Sequence, residues 1–201
     1  MDYSLIIKLT NNCNLNCSYC YHRKDKNRDF NSALTKDAVG QIIHKILLHN
    51  EHEAEFIWHG GEPLLVGLDM FKFIVETQQK MNPKCLNIKN RVQTNGTLLT
   101  DEFIQFFIYN KFDIGISIDG PYDMHASKRG TYISEYETIL RSLDQLQTTG
   151  AHYGILCVVG KQHVGQARRI FNLLNEHGIK NLGFLPCLVQ ENGNIDESLT
   201  I

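Results

Sequence analysis

Apolar and polar positions along the 201-residue chain alternate between two periods, and the alternation itself predicts the elements. Short apolar runs that read as strands are SLIIKLT (4–10), AEFIWHG (54–60), NIKNRVQTN (87–95), FDIGISID (112–119), HYGILCVVG (152–160) and IKNLGFLP (179–186). Between them lie stretches with helical spacing. In KDAVGQIIHKILLHN (36–50), Ala38, Val39, Ile42, Ile43, Ile46 and Leu47 fall on one helical face. GLDMFKFIVETQQKM (67–81), TDEFIQFFIYN (100–110), SEYETILRSLDQLQTTG (134–150) and GQARRIFNLLNEHG (165–178) follow the same rule. Thr100 is the expected N-cap of the third helix and Ser134 of the fourth. Gly150 and Gly178 sit where a left-handed C-terminal residue belongs. HYGILCVVG is nearly all apolar, as a strand covered on both faces would be.

Six strands with five intervening helices predict an α/β fold with a parallel sheet and right-handed crossovers. The unusual polar or glycine-rich motifs each follow a strand: the cysteine loop, HGGEP, QTNGT, SIDGP, VVGKQ and PCLVQENG. In βα architectures that edge gathers active sites. An open doubly wound sheet concentrates its chemistry in one crevice. Function-bearing loops on all six strands favour a curved or partial (β/α)6 barrel instead. No domain boundary or internal repeat is visible, and residues 1–201 read as one domain whose end, QENGNIDESLTI, is polar with no closing helix.

Composition narrows the class only a little. A net charge of −2 points to no nucleic-acid surface or membrane patch. No run of 18 or more apolar residues appears, and MDYSLIIKLTNN lacks the basic start and long apolar stretch of a signal peptide, so a cytoplasmic location is expected. Six cysteines in a chain of this length do not read as a disulfide scaffold. Cys85, Cys157 and Cys187 stand alone and read as buried small hydrophobes.

Cys13, Cys17 and Cys20 are different. CNLNCSYCYHRK places three thiols at C-x3-C-x2-C spacing directly after the first strand. A c-type haem attachment fails because Tyr21 stands where C-x-x-C-H needs histidine. Structural zinc needs a fourth ligand, for which His22 is close but tightly spaced. A ferredoxin-type site needs a fourth thiolate, which Cys85, Cys157 or Cys187 would have to supply by folding back, though none lies in a C-x-x-C pair. Taken at face value, three thiolates hold three irons of a cubane and leave the fourth open, as catalytic zinc keeps an open position.

CNLNCSYC resembles the C-x3-C-x-aromatic-C signature of the radical S-adenosylmethionine (SAM) enzymes. The resemblance implies that Cys13, Cys17 and Cys20 ligate a [4Fe–4S] cluster whose unique iron chelates SAM, with Tyr19 against the adenine. WHGGEPLL is similar to the family's GGEP motif, which implies that Gly60, Gly61 and Glu62 meet the methionyl amino group. Ser117 in SIDGP and the following Arg129 match positions that contact SAM, and a guanidinium suits its carboxylate. Asn95 in QTNGT would lie near the ribose with Gln93, or simply build an Asn-Gly turn. Leu188 matches a position that covers the adenine. His125 in DMHASKR reads as a base or as a structural histidine, and no catalytic residue is assigned.

The resemblance spans essentially the whole chain and is closest to the N-terminal half of anaerobic sulfatase-maturating enzymes, in the group with a C-terminal SPASM domain. That cysteine-rich extension, with its auxiliary clusters, is not in this sequence. The implied fold is the TIM-like partial barrel of the radical SAM core. The implied activity is reductive cleavage of SAM to a 5′-deoxyadenosyl radical, which abstracts hydrogen from a peptide or protein and leads to oxidation or cross-linking. A one-electron donor such as flavodoxin or ferredoxin is implied with it. The alternatives are another radical SAM activity (a glycyl-radical activase or small-molecule enzyme) and a non-catalytic iron–sulfur module.

Overall fold

The structure, a computed structural model, describes residues 2–20 and 32–187. Its strands are β1 (Ser4–Thr10), β2 (Glu53–Gly60), β3 (Asn87–Thr94), β4 (Phe112–Ser117), β5 (Tyr153–Val159) and β6 (Leu182–Pro186). The helices are α1 (Lys36–His49), α2 (Leu68–Lys80), α3 (Asp101–Tyr109), α4 (Tyr122–Arg129), α5 (Ile133–Thr149) and α6 (Ala167–Glu176). Two 3-10 turns, Pro63–Val66 and Lys161–His163, follow β2 and β5. All six strands belong to one sheet in the order β1-β2-β3-β4-β5-β6, and the pairs β1–β2, β2–β3 and β5–β6 are parallel. A sequential order has no topological switch point, so the doubly wound alternative is excluded and the barrel-type βα succession stands.

The chain divides into two compact units. The first holds β1 to β3, α1 to α3 and the opening half of β4. Here β2 alternates strictly, with Ala54, Phe56 and Trp58 buried on one face. Phe71 of α2 meets Phe107 edge-on at 5.2 Å and Phe103 at 6.0 Å, and Phe107 lies 5.0 Å from Phe112. Burying each such ring contributes about 1.5–3 kcal/mol. Asn90 and Gln78 bring a hydrogen-bonded polar pair into this core. The Asn90 carbonyl accepts from Trp58 Nε1 and Gln78 Nε2, and its amide donates to Gln78 Oε1, each at 2.9 Å. Thr100 caps α3 as expected, its hydroxyl accepting from Phe103 N.

The second unit holds the loop from Asn14 on, the Asn95–Leu99 turn, the closing half of β4 and the elements after it. α5 buries Tyr136, Ile139, Leu143 and Leu146 and stops at Gly150, left-handed at φ 68°. Its N-cap is Tyr132 rather than Ser134, which falls inside the helix. Glu135 sets that start, because its carboxylate reaches back to accept from Tyr132 N at 2.8 Å. α4 was not expected, since its buried residues are Met124, His125 and Arg129, a mostly polar face invisible to an apolar periodicity. β5 buries only Ile155 and Cys157, so it is covered on one side and not on both. β6 begins at Leu182, later than its apolar run suggests, and Phe184 and Leu185 are exposed. No helix among the described residues is long and apolar enough to cross a membrane.

Candidate functional site

In the first unit, the end of β1 leads into Cys13, and the loop after β2 is stitched to it. Gly61 N donates to Thr10 O at 2.9 Å and Glu62 N to Asn12 O at 2.8 Å. Asn12 N in turn donates to Thr10 Oγ1 at 3.0 Å. A Cβ on Gly60 would stand 2.4 Å from Thr10 O, and one on Gly61 would stand 2.0 Å from Asn12 O. Gly60 also has φ +138°, which disfavours a side chain. Glycine is thus required here by the approach of two backbone segments, a reason that motif spacing alone does not disclose. Glu62 is fully buried, and its Oε1 accepts from Leu64 N at 3.0 Å and from Thr94 Oγ1 at 2.7 Å. It therefore caps the 3-10 turn and ties it to the end of β3. His59 Nδ1 accepts from Gly60 N, and burial pulls the ring's pKa below its ordinary value.

In the second unit, Cys20 N donates to Cys17 O at 3.1 Å, closing a turn between the two thiols. Ser18 N donates to Lys128 O at 2.7 Å, filling one carbonyl at the C-terminal end of α4. Asn14 is held by Asn95, whose amide donates to Asn14 Oδ1 at 2.9 Å, while Asn95 Oδ1 accepts from Thr97 N at 3.0 Å. Asn95 with Gly96 (φ 81°) does build a turn, and that turn reaches the cysteine loop. Ser117 ends β4, half-buried, on the face opposite Ile116.

Arg129 is buried. Its Nε donates to Asp119 Oδ2 at 2.7 Å and its Nη2 to Asp119 Oδ1 at 3.0 Å. Tyr19 OH donates to Asp119 Oδ2 at 2.6 Å, and the guanidinium lies 5.5 Å from the Tyr19 ring centre. Burial by itself would raise the Asp119 carboxyl, but the Arg129 charge and the hydrogen bonds from Arg129, Tyr19 and Val158 hold it below the usual carboxylate range. Burial works against the Arg129 charge as well, and Asp119 outweighs it. His125 is fully buried, and its Nδ1 accepts from Asp119 N at 3.2 Å. Leu188 and His22 lie outside the described residues. Asp119, Thr94 and His163 carry contacts that the motifs did not assign. The only trace of Asp119 in the sequence is its place on the alternating SIDGP segment.

Cys13, Cys17 and Cys20 form no disulfide and are partly exposed. Among the described residues, no group of three or more His, Cys, Asp or Glu side chains is drawn together around a single-ion site. Accessible thiols are the donors that iron–sulfur clusters use, so the chemistry of these side chains fits such a group. The isolated cysteines divide differently. Cys187 and Cys157 are buried, and burial pushes the Cys157 thiol up to about 12, leaving it inert. Cys85, contrary to expectation, is exposed, at a left-handed position with φ 53°.

The pattern of the radical SAM superfamily matches residues 7–174. The chain belongs to the radical SAM superfamily. Members of this superfamily use a [4Fe–4S] cluster and SAM. This radical SAM chain is 33% identical over 205 aligned residues to the cysteine-type anaerobic sulfatase-maturating enzyme of Clostridium perfringens (strain 13 / Type A), covering 98% of itself and 55% of that relative. It is 32% identical to the serine-type anaerobic sulfatase-maturating enzyme of Klebsiella aerogenes, covering 88% of itself and 44% of that relative. Among solved structures, native anSMEcpe with bound AdoMet and Cp18Cys peptide matches with a TM-score of 0.89 and 30% identity over 99% of this chain and 55% of that one. Streptococcus suis SuiB bound to precursor peptide SuiA matches at TM-score 0.70 and 17% identity over 91% of this chain and 39% of that one, a likeness of fold. The chain spans about half the length of the curated relatives it matches. The radical SAM core fold expected from the sequence is the fold of these neighbours.

Proposed function

We propose that this chain is the radical-generating core of an enzyme that modifies a side chain of a peptide or protein, in the manner of the sulfatase-maturating relatives. The observation that carries the reading is the C-x3-C-x2-C thiol motif after β1, in a radical SAM chain 33% identical to such a relative over 98% of this chain. Cys13, Cys17 and Cys20 would hold the cluster. A bound cluster would supply the single electron needed for reductive cleavage of SAM and hydrogen abstraction from the substrate. The protein's part is to hold the thiols, orient SAM and exclude water. Ser117, Asn95, Glu62, Leu188 and the backbone of Gly60 and Gly61 are the proposed SAM contacts, and the Tyr19 ring and Arg129 complete the set. A flavodoxin or ferredoxin would deliver the electron, and a reducing cytoplasm would keep the thiols free.

The test is anaerobic reconstitution with iron and sulfide, followed by dithionite and SAM. Formation of 5′-deoxyadenosine supports the reading, and a full cluster that yields none refutes it. Adding a cysteine-containing sulfatase-type peptide should produce an oxidised peptide. An unchanged peptide mass beside continuing SAM cleavage would refute the substrate class.

A further inference from the structure

Asp119 lies just past β4 with no exposed surface, and its polar atoms are committed. Beyond the three side-chain bonds to Arg129 and Tyr19, Oδ1 accepts from Val158 N of β5 at 3.0 Å. Its backbone is gripped too. Asp119 N donates to His125 Nδ1, and Asp119 O accepts from His163 Nε2 at 2.6 Å. Because Gly160 N donates to His163 Nδ1 at 3.0 Å, the proton of that ring sits on Nε2, which makes it the donor. A turn joining a strand to a helix needs none of this. The carboxylate draws its bonds from the cysteine loop, α4 and β5 at once.

Tyr19, the residue reached from the loop, stands between two of the three thiols and 100 residues from Asp119 in sequence. Its hydroxyl is on the carboxylate, its ring is against Arg129, and the neighbouring Ser18 N is on the last turn of α4. The Cys17–Cys20 turn is thus fastened at side chain and backbone. Cys17 is within electrostatic reach of both Arg129 and Tyr19.

We propose that Asp119 is a positioning residue for the cluster loop: through Tyr19 and Arg129 it holds Cys17 and Cys20 for ligation, and its charge cancels that of the buried guanidinium beside them. The inference rests on the cluster reading above. A cation next to an iron–sulfur cluster stabilises the reduced, more negative state and raises the reduction potential. A cluster that must give an electron to a sulfonium needs that bias removed, and a carboxylate in bidentate contact removes it.

The test uses the whole chain, reconstituted anaerobically. Asp119→Asn leaves Arg129 uncompensated and should raise the cluster's midpoint potential. Arg129→Gln should leave it unchanged or lower it, and the double variant should return it to the parent value. Purely structural damage would move both single variants in the same direction. An Asp119→Asn potential equal to or below the parent's, or a rise in both, overturns the proposal. Tyr19→Phe keeps the ring and removes only the hydroxyl, so it carries the test if Asp119→Asn does not fold. It should release iron to a chelator several-fold faster than the parent, with unchanged far-UV circular dichroism; an unchanged release rate overturns the proposal. If the parent chain takes up no cluster, the functional reading fails with it. If the parent makes 5′-deoxyadenosine while all variants match it in potential and iron release, this inference alone fails.

Discussion

Replacing Gly61 with alanine separates two reasons for a glycine in HGGEP. If the residue is small to admit a ligand, the apoprotein should not notice a methyl group. The geometry says otherwise. A Cβ would stand 2.0 Å from Asn12 O, 2.6 Å from Asn12 C and 2.8 Å from Asn11 O, all backbone atoms. Gly61 is not in the left-handed region, so the cost is one of space. Relief requires the segment after β1 to move, which breaks Gly61 N–Thr10 O and Glu62 N–Asn12 O. Two backbone hydrogen bonds contribute about 1 kcal/mol each. Overpacking that cannot relax adds about 1–3 kcal/mol. The sum, about 3–5 kcal/mol, is a large share of the roughly 5–15 kcal/mol that holds a domain together. In a chain of this size it lowers Tm by about 6–20 °C. Urea denaturation of the reduced apoprotein measures it, with Gly130→Ala as the control. Gly130 is left-handed at φ +69° but has nothing within 4 Å, so its substitution should cost only about 1 kcal/mol. A Gly61→Ala apoprotein that unfolds at the parent's midpoint refutes the packing argument.

His125 makes stability pH-dependent. Burial, with the Arg129 charge adding and Asp119 opposing, pushes its pKa from 6.5 down to about 3. The folded value lies below the unfolded one, so this contribution is complete above pH 6.5 and is lost as pH falls toward 3. At pH 5 the loss is about 2 kcal/mol, and His125→Asn, which keeps an acceptor, should flatten the curve. An identical slope in the variant counts against it. Asn90→Ala strands Trp58 Nε1 and the Gln78 amide in the core of the first unit, at a cost of about 2–4 kcal/mol by denaturation. A change below about 1 kcal/mol would mean those groups find other partners. Cys17→Ala should abolish the iron–sulfur absorption after reconstitution, and Cys85→Ala should leave it intact. Survival of the absorption without Cys17 removes that residue from the ligand set.

Much of the fold is legible because its causes are local. β1 runs over the residues its apolar run marks, α1 and α2 match to within a residue, and Thr100 caps where a threonine before an apolar repeat should. α4 escaped because the face it buries carries a histidine and an arginine, both of which bond to Asp119. Ser134 misled because the side chain that satisfies the start of α5 comes from Glu135, one residue further on. Cys85 was expected inside because unpaired cysteines usually are, yet it lies on an exposed turn.

The sequence by itself determined the period of each segment, the succession of strands and helices, and the three-cysteine motif whose spacing led to the superfamily. Each depends on residues within one turn of helix or one strand length of each other. Only the tertiary structure decided which polar groups are spent on one another. It paired Tyr19 with Asp119 across 100 residues, buried Arg129 against the Asp119 carboxylate, and set Gly61 against the backbone of Asn12. The physical reason is that burial makes a polar or charged group seek a partner, and which partner is in reach depends on how distant segments are brought together.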